Sequence, residues 1–321
     1  MDLIYTNSKR VDQGVLSAYA LDLSFGEDEN DFELTLGANE PVLEFGAFVY
    51  IEGTEYGGII DAMKTSTDGE SVTYTGRTWH GLLNSKVIQP DNGADYFVAS
   101  GDLNAVLRTL VARLGLDNLF SVSEEDSGIT VSKYQFNRYC YGYDGISAML
   151  SDVGGKLKLE WLGRKVQMSA QPIVNYADSP VDGDVASLTV EQYGNKVNHL
   201  ICLGKGELAE RQVVHLYVDR FGRIGTVQYY KGIDERTEVY DNSNVATVDE
   251  LKRNGIKRLK ELWAADTAEL NVLEQGDIVF DIGDIIGATE VRSGVSVSAT
   301  VLKKIVKIEN GAVRIEYKTG G

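Results

Sequence analysis

The stretch DGESVTYTGRTWHGLLNSKVI, residues 68–88, decides the fold: its first half alternates apolar and polar residues behind an Asp-Gly turn, and its second half switches to helical spacing. Gly76 ends the strand, Thr78 caps the turn that follows, and Trp79, Leu82 and Leu83 share a helical face suited to packing on a sheet. Arg77, Trp79 and His80 also invite a catalytic reading. His80 has no nucleophile or acid beside it in the sequence, so the trio reads as a strand-to-helix corner, with Trp79 buried and Arg77 near the surface.

The upstream residues are of the same kind. GVLSAYALDLSF, DFELTLG and AFVYIEGTEYGGIIDAMKT alternate between turns at GEDEND and EGTEYGG, the pattern of a meander expected to close on itself. The motif returns at the other end of the chain. EFGAFVYI before GIIDAMKTSTDGESVTYTG matches DIGDIIGA before VLKKIVKIENGAVRIEYKTG, with glycines 23 apart in one copy (Gly46, Gly69) and 28 in the other (Gly283, Gly311). The match predicts equivalent hairpins in two related barrels, with Ile59, Ile60, Met63, Val72 and Tyr74 answering to Val301, Leu302, Ile305, Val313 and Ile315.

Between the two copies the pattern changes. Ser100 is positioned to cap a helix whose stripe is Leu103, Val106, Leu107, Leu110, Val111 and Leu114, stopped by Gly115. Strands NLFSVS and GITVSKYQFN, a helix at DGISAMLSDVGG and a hairpin KLKLEWLGRKVQMSA follow, giving the order α-β-β-α-β-β. Strands return at SLTVEQYGN, NHLICLG, RQVVHLYVD and TVQYYK. They precede one strong helix, 247–265, opened by Thr247 and Glu250 at capping-box spacing and expected to bury Val248, Leu251, Ile256, Leu259 and Leu262. The fold class is therefore α+β, mainly β. Two related barrels, 1–95 and 181–321, flank an inserted α/β domain, 96–180, with the 247–265 helix on the second barrel.

Composition narrows the function. The 321 residues suffice for more than one core, and the two cysteines, Cys140 and Cys202, are too few for a disulfide framework, so a reducing compartment is expected. The N-terminus lacks a signal-peptide pattern and no apolar run is long enough for a membrane span, so neither secretion by that route nor membrane insertion is expected. With 48 acidic and 31 basic side chains the net charge is −17, which argues against tight binding of duplex DNA. Residues 1–97 hold 17 acids and 5 bases, a net of −12. That surplus reads either as solubility or as a surface built to repel a polyanion.

The candidate chemistry is sparse. Gly204, Gly206 and Ala209 imitate a dinucleotide loop, but the residues after them alternate like a strand instead of opening a helix, so a hairpin is expected. His199, Cys202 and His215 raise a metal site, yet residues three apart on a strand face opposite ways, so a structural role is expected. The acidic turns GEDENDF and EEDSG lack the carboxylate spacing of a calcium loop. No G-x-S-x-G, H-E-x-x-H or Walker loop occurs. Tyr134, Phe136, Tyr139, Tyr141 and Tyr143 form either a binding platform or a packed strand end. No catalytic, metal or cofactor residue is assigned, and no enzyme is expected.

With YTGRTWHGLLNSKVI after the first barrel, NKVNHLICLG at the start of the second and FDIGDIIGATEVRSGVSVSATVLKKIVKIENGAVRIEY at the end, the chain resembles the phage tail baseplate hub proteins. These are similar in fold to the hub of contractile tails and the base of type VI secretion spikes. The resemblance implies tube-forming barrels, a homotrimer that joins a six-fold tail tube to a three-fold tip, and a collar through which DNA passes without specific binding. It also implies tail tube, distal tail and tape-measure proteins as neighbours, a place at the virion tail tip and assembly in the host cytoplasm. Departing from the family, no C-terminal extension follows, so the cell-wall-cleaving or receptor-binding domain of many hubs is expected to be missing. The alternatives are a tail-associated cell-wall hydrolase with a carboxylate site in the middle domain, or a carbohydrate-binding adhesin using the tyrosine cluster.

Overall fold

The computed structural model describes residues 1–65, 71–176, 186–191, 196–220, 222–245, 247–263, 267–272, 279–290, 295–309 and 311–320. The chain forms two compact units, one of residues 1–188 with 270–321 and one of 189–269.

The first unit is built on a ten-stranded sheet. Its N-terminal strands are β1 (Leu3–Thr6), β2 (Asp12–Leu16), β3 (Tyr19–Gly26), β4 (Asp31–Gly37), β5 (Phe48–Tyr50), β6 (Gly57–Thr65) and β7 (Ser71–Thr78). They are joined by β21 (Ile285–Glu290), β22 (Val295–Glu309) and β23 (Ala312–Gly320) in the order β2-β1-β5-β6-β7-β4-β3-β22-β21, with β23 also on β22. Alternation sets the faces: in β4, Phe32, Leu34 and Leu36 are buried while Asp31 and Glu33 are exposed.

This arrangement corrects the expected repeat. The β6–β7 and β22–β23 hairpins lie in one sheet, separated by β4 and β3, and Ile60, Tyr74, Val301 and Ile315 share one apolar core. The two hairpins are not counterparts in separate barrels. The cause is long-range pairing: β22 runs antiparallel to β3 from Lys303↔Gly26 to Glu309↔Ala20, a partnership that local alternation does not encode. Met63, expected inside, is exposed although its cross-strand partner Tyr74 is buried, because it lies in the outer part of β6, where every residue from Asp61 to Thr65 is exposed. Among the described residues the strand path does not close into a barrel. The turn residues Asp68 and Gly69 lie outside the described residues, as does Asn310, whereas Gly311 takes the left-handed φ of 78° that its turn requires.

The segment after β7 keeps the expected order. α1 (Trp79–Asn84), α2 (Leu103–Arg113) and α3 (Gly142–Asp152) accompany β8 (Val87–Ile88) paired with β12 (Cys140–Tyr141), β9 (Val98–Asp102) with β11 (Thr130–Gln135), and the sheet β10-β14-β13 of Phe120–Val122, Lys165–Pro172 and Gly155–Leu162. All six residues of the α2 stripe are buried. The cap is Asp102 and not Ser100, since its carboxylate accepts from Asn104 N at 2.8 Å. The core of this segment also contains Phe48, Tyr50 and Trp79, so it packs into the same unit as the large sheet.

The compact units thus divide the chain differently from the expected boundaries at 95 and 180: residues 270–321 join the first unit because their strands complete its sheet. β15 (Ala186–Glu191) and β20 (Thr267–Val272) pair with each other where the chain passes between the units. The second unit holds the sheet β18-β17-β16-β19, formed by Ile224–Gly225, Val213–Val218, His199–Leu203 and Thr237–Asp241, and α4 (Val248–Trp263) packs on it. Thr247 Oγ1 accepts from Glu250 N at 3.3 Å, the expected cap. Leu251 and Leu259 are buried, whereas Val248, expected inside, is exposed in the first turn. Gly255 brings the helix close, because a Cβ there would fall on Cys202 Sγ and within 2.8 Å of Leu216 Cδ1.

Candidate functional site

The corner at 77–84 is a packing device. Thr78 accepts from Gly81 N at 3.3 Å, and any side chain at Gly81 would strike the carbonyl of Asn30. Trp79 is wholly buried, edge-on to Phe48 with centroids 5.5 Å apart and stacked on Trp161 at 5.2 Å. Arg77 lies at the surface in a two-pronged pair with Asp61, both contacts 2.7 Å.

His80 is buried, stacked on Phe25 at 4.8 Å and edge-on to Tyr143 at 5.2 Å. The structure adds a neighbour that the local sequence does not show: Glu55 Oε2 lies 3.8 Å from His80 Nε2, and Glu55 Oε1 takes the Lys304 ammonium at 2.8 Å. Burial pushes the imidazole down to about 4 despite Glu55, with Lys304 adding to the depression. Burial also acts to lower Lys304, but Glu55 outweighs it and holds the ammonium above its ordinary range. His80 is thus a neutral core ring, packed between Phe25 and Tyr143 beside the Glu55–Lys304 ion pair.

A second buried pair joins distant segments of the same unit. Lys156 Nζ lies 2.8 Å from Asp281 Oδ2 and 2.8 Å from both oxygens of Asp284, which also accepts from Val174 N at 2.9 Å and Asp281 N at 3.0 Å. Nearby is an open cavity of about 680 Å³, with Glu27, Asp28, Tyr143, Asp144 and Lys156 in its wall. Lys156 is already neutralised there, and the remaining charges are acidic.

In the second unit, β16 and β17 form the hairpin expected at Gly204–Gly206. His199 and His215 come together, Nε2 to Nδ1 at 2.8 Å, while His199 Nδ1 meets Glu235 Oε1 at 2.6 Å and Thr237 Oγ1 at 3.0 Å. Cys202 points the other way, under Gly255, and burial pushes its thiol up to about 11. Glu235 and Thr237 follow a loop from β17, too far in sequence for spacing to reveal them. No cluster of three or more His, Cys, Asp or Glu suited to a metal lies among the described residues. The tyrosine cluster divides: Phe136 and Tyr143 are buried, Tyr134 packs edge-on to Phe136 at 4.9 Å, and Tyr139 and Tyr141 are exposed.

What extends over the whole chain is its fold. The chain aligns over its full length with the 43 kDa tail protein of prophage MuSo2 from Shewanella oneidensis, at TM-score 0.55 and 13% identity, covering 98% of that chain. It aligns equally with the activated phage P2 virion baseplate (TM-score 0.54, 11% identity, 99% of that chain). Prophage tail protein gp18 from Listeria monocytogenes EGD-e gives TM-score 0.52 and 12% identity over 95% of that chain. The chain has the fold of the phage tail and baseplate proteins. No family model matches it. Elongation factor G 2 of Shewanella oneidensis is 27% identical over 129 residues, 40% of this chain and 17% of the elongation factor. The same figures hold for the protein from Shewanella sp. strain MR-7, so the chain spans 17% of the length of the curated relatives it matches. Among the described residues no helix is long and apolar enough to cross a membrane.

Proposed function

We propose that this protein is a structural baseplate hub: a homotrimer at the virion tail tip that adapts a six-fold tail tube to a three-fold tip and lines an acidic channel for DNA. The observation that carries this reading is a tail and baseplate fold extending over all of the chain in proteins only 11–13% identical to it. On this proposal the ten-stranded sheet of the first unit and the four-stranded sheet of the second serve as the two tube-forming elements, so three copies present six. Charge supports the same role. A trimer carries −51, and acids of the first third, facing the lumen, let DNA slide without adhering.

Its neighbours are tail tube, distal tail and tape-measure proteins, and assembly takes place in the host cytoplasm. The protein acts without catalysis. The test is to purify tail particles and image them with a labelled antibody: three copies at the tip are expected, and a chain absent from the particles refutes the reading. A zymogram on cell walls covers the catalytic alternative, which requires clearing that a single Asp or Glu change abolishes.

A further inference from the structure

The acidic surplus is unevenly divided. Residues 1–188 and 270–321 hold 35 acids and 19 bases, a net of −16, whereas residues 189–269 hold 13 and 12, a net of −1. In the second unit, α4 exposes Lys252, Arg253, Lys257 and Lys260. At 100° per residue these fall within about 140° of the helix circumference, with Asp249 the acid among them. Arg258, by contrast, is engaged with Glu238 and Glu261.

The C-terminal end of this helix adjoins a loop rich in exposed apolar residues. Tyr230 lies 6.4 Å from the Trp263 ring, and Tyr229, Tyr230, Lys231 and Trp263 help to wall a cavity of about 610 Å³. On the same loop Val227 is 82% and Ile233 94% exposed, values that leave these side chains almost wholly in water. The loop is nevertheless fixed. Buried Asn198 donates to Asp234 O at 2.7 Å and accepts from Arg236 N at 3.0 Å, and His199 holds Glu235. The result is a preformed apolar and aromatic patch continuous with a basic helix face, the composition of a protein interface.

In the first unit the β3–β4 hairpin has the opposite character, with Asp22, Glu27, Asp28, Glu29, Asp31 and Glu33 all exposed. Lys303 reaches Glu29, and Lys307 stands 3.9 Å from Asp22. Burial and then the charge of Glu29 raise the Asp31 carboxyl. Burial raises Asp22 as well, opposed by Lys307 and reinforced by Glu316, Glu33 and Asp31. These acids crowd one another, and an arriving cation relieves the crowding.

We propose that the basic and apolar face of the second unit, α4 with the 227–234 loop, docks on the β3–β4 hairpin of a neighbouring copy of this chain, a head-to-tail contact that closes the ring. The inference rests on the hub reading, which supplies the second copy. Charge complementarity selects this partner: chains of net −17 repel one another unless such oppositely charged patches meet. Head-to-tail contacts are also the kind that generate rings.

The experiment places a photo-cross-linking benzoylphenylalanine at Ile233 in tails assembled from mixed ¹⁴N and ¹⁵N copies. The expected product joins position 233 to a peptide containing residues 19–37 of a copy with the other label. Cross-links confined to one chain, to a different tail protein, or absent overturn the inference and leave the hub role standing; so does capture of a cell-wall saccharide with no protein product. A chain missing from the particles sinks the hub reading, and the inference falls with it. In parallel, the set Lys252→Glu, Arg253→Glu, Lys257→Glu and Lys260→Glu is expected to cut incorporation about tenfold or more at low salt. Adding Glu27→Lys, Asp28→Lys, Glu29→Lys and Asp31→Lys is expected to restore most of it. A charge-reversed chain that melts like wild type but is incorporated normally, or one that the second set fails to rescue, overturns the proposal.

Discussion

Replacing Lys156 by Met tests how the C-terminal segment is fastened into the first unit. Met keeps most of the aliphatic stem and removes the ammonium that bridges Asp281 and Asp284. Asp284 is buried, so the variant strands a carboxylate in the interior. Losing one partner of a buried pair costs about 3–5 kcal/mol. Two backbone donors, Val174 N at 2.9 Å and Asp281 N at 3.0 Å, still solvate Asp284, which favours the lower end, about 3 kcal/mol.

For a unit of this size that loss lowers Tm by about 6–12 °C. The pH must be chosen with care. Burial acts to lower the Lys156 pKa, but Asp281 and Asp284 reverse that and raise it. Its stabilisation is therefore fully present below the unfolded value of about 10.4 and is lost only as pH rises through the higher folded one, so pH 7 reads all of it. The assay is calorimetric melting of wild type, Lys156→Met, Asp281→Asn/Asp284→Asn and the combination. Neutralising the acids should return at least half of what Lys156→Met loses. A loss under about 1 kcal/mol, or strictly additive losses, would refute a buried, coupled pair.

Trp79→Ala should cost about 3–5 kcal/mol, because it empties the corner between Phe48 and Trp161, whereas Arg77→Ala at the exposed Asp61 pair should cost under about 1 kcal/mol; urea melts rank the two. His80 binds its proton more weakly folded, at about 4, than unfolded, so wild type should lose about 3 kcal/mol relative to His80→Phe as pH falls from about 6.5 to 4; a pH-independent gap between them contradicts the assignment. Gly255→Ala should destabilise the second unit by about 1–3 kcal/mol even though alanine is the better helix former, and Cys202→Ala should relieve part of that loss in the double variant's melt.

These contacts divide into what neighbouring residues announce and what distance conceals. The corner was legible because Thr78, Trp79, Leu82 and Leu83 carry cap and helical face within six residues, and the α2 and α4 stripes were legible for the same reason. Where sequence reading failed, the deciding partner was remote. β6–β7 and β22–β23 look alike because antiparallel hairpins use the same alternation and the same turns, yet which strand lies beside them is fixed by register with β3 and β4. Glu55 beside His80, Asp284 beside Lys156 and Glu235 beside His199 are likewise set by the assembled sheets and loops. Met63 and Val248 follow their local pattern and are exposed because one lies in the outer part of β6, where Asp61 to Thr65 are all exposed, and the other in the first turn of α4.

Charge and fold are separable in the first unit, and this bears on what such a surface can be used for. In β3 and β4 the buried face is filled by Leu21, Leu23, Phe25, Phe32, Leu34 and Leu36, while Asp22, Asp31 and Glu33 occupy the alternate positions. An acid at those positions takes nothing from the core, so the sign of the solvent face can be set by the needs of a channel or a docking partner without loss of the sheet. The cations behave differently. Lys156 and Lys304 are buried against Asp281, Asp284 and Glu55, where they fasten segments together and leave little field outside. The net of −16 counts these interior lysines and acids together; removing two cations and three acids leaves 17 bases against 32 acids, a surplus of 15 acids. The charge that the first unit turns to solvent is therefore nearly as acidic as its composition states.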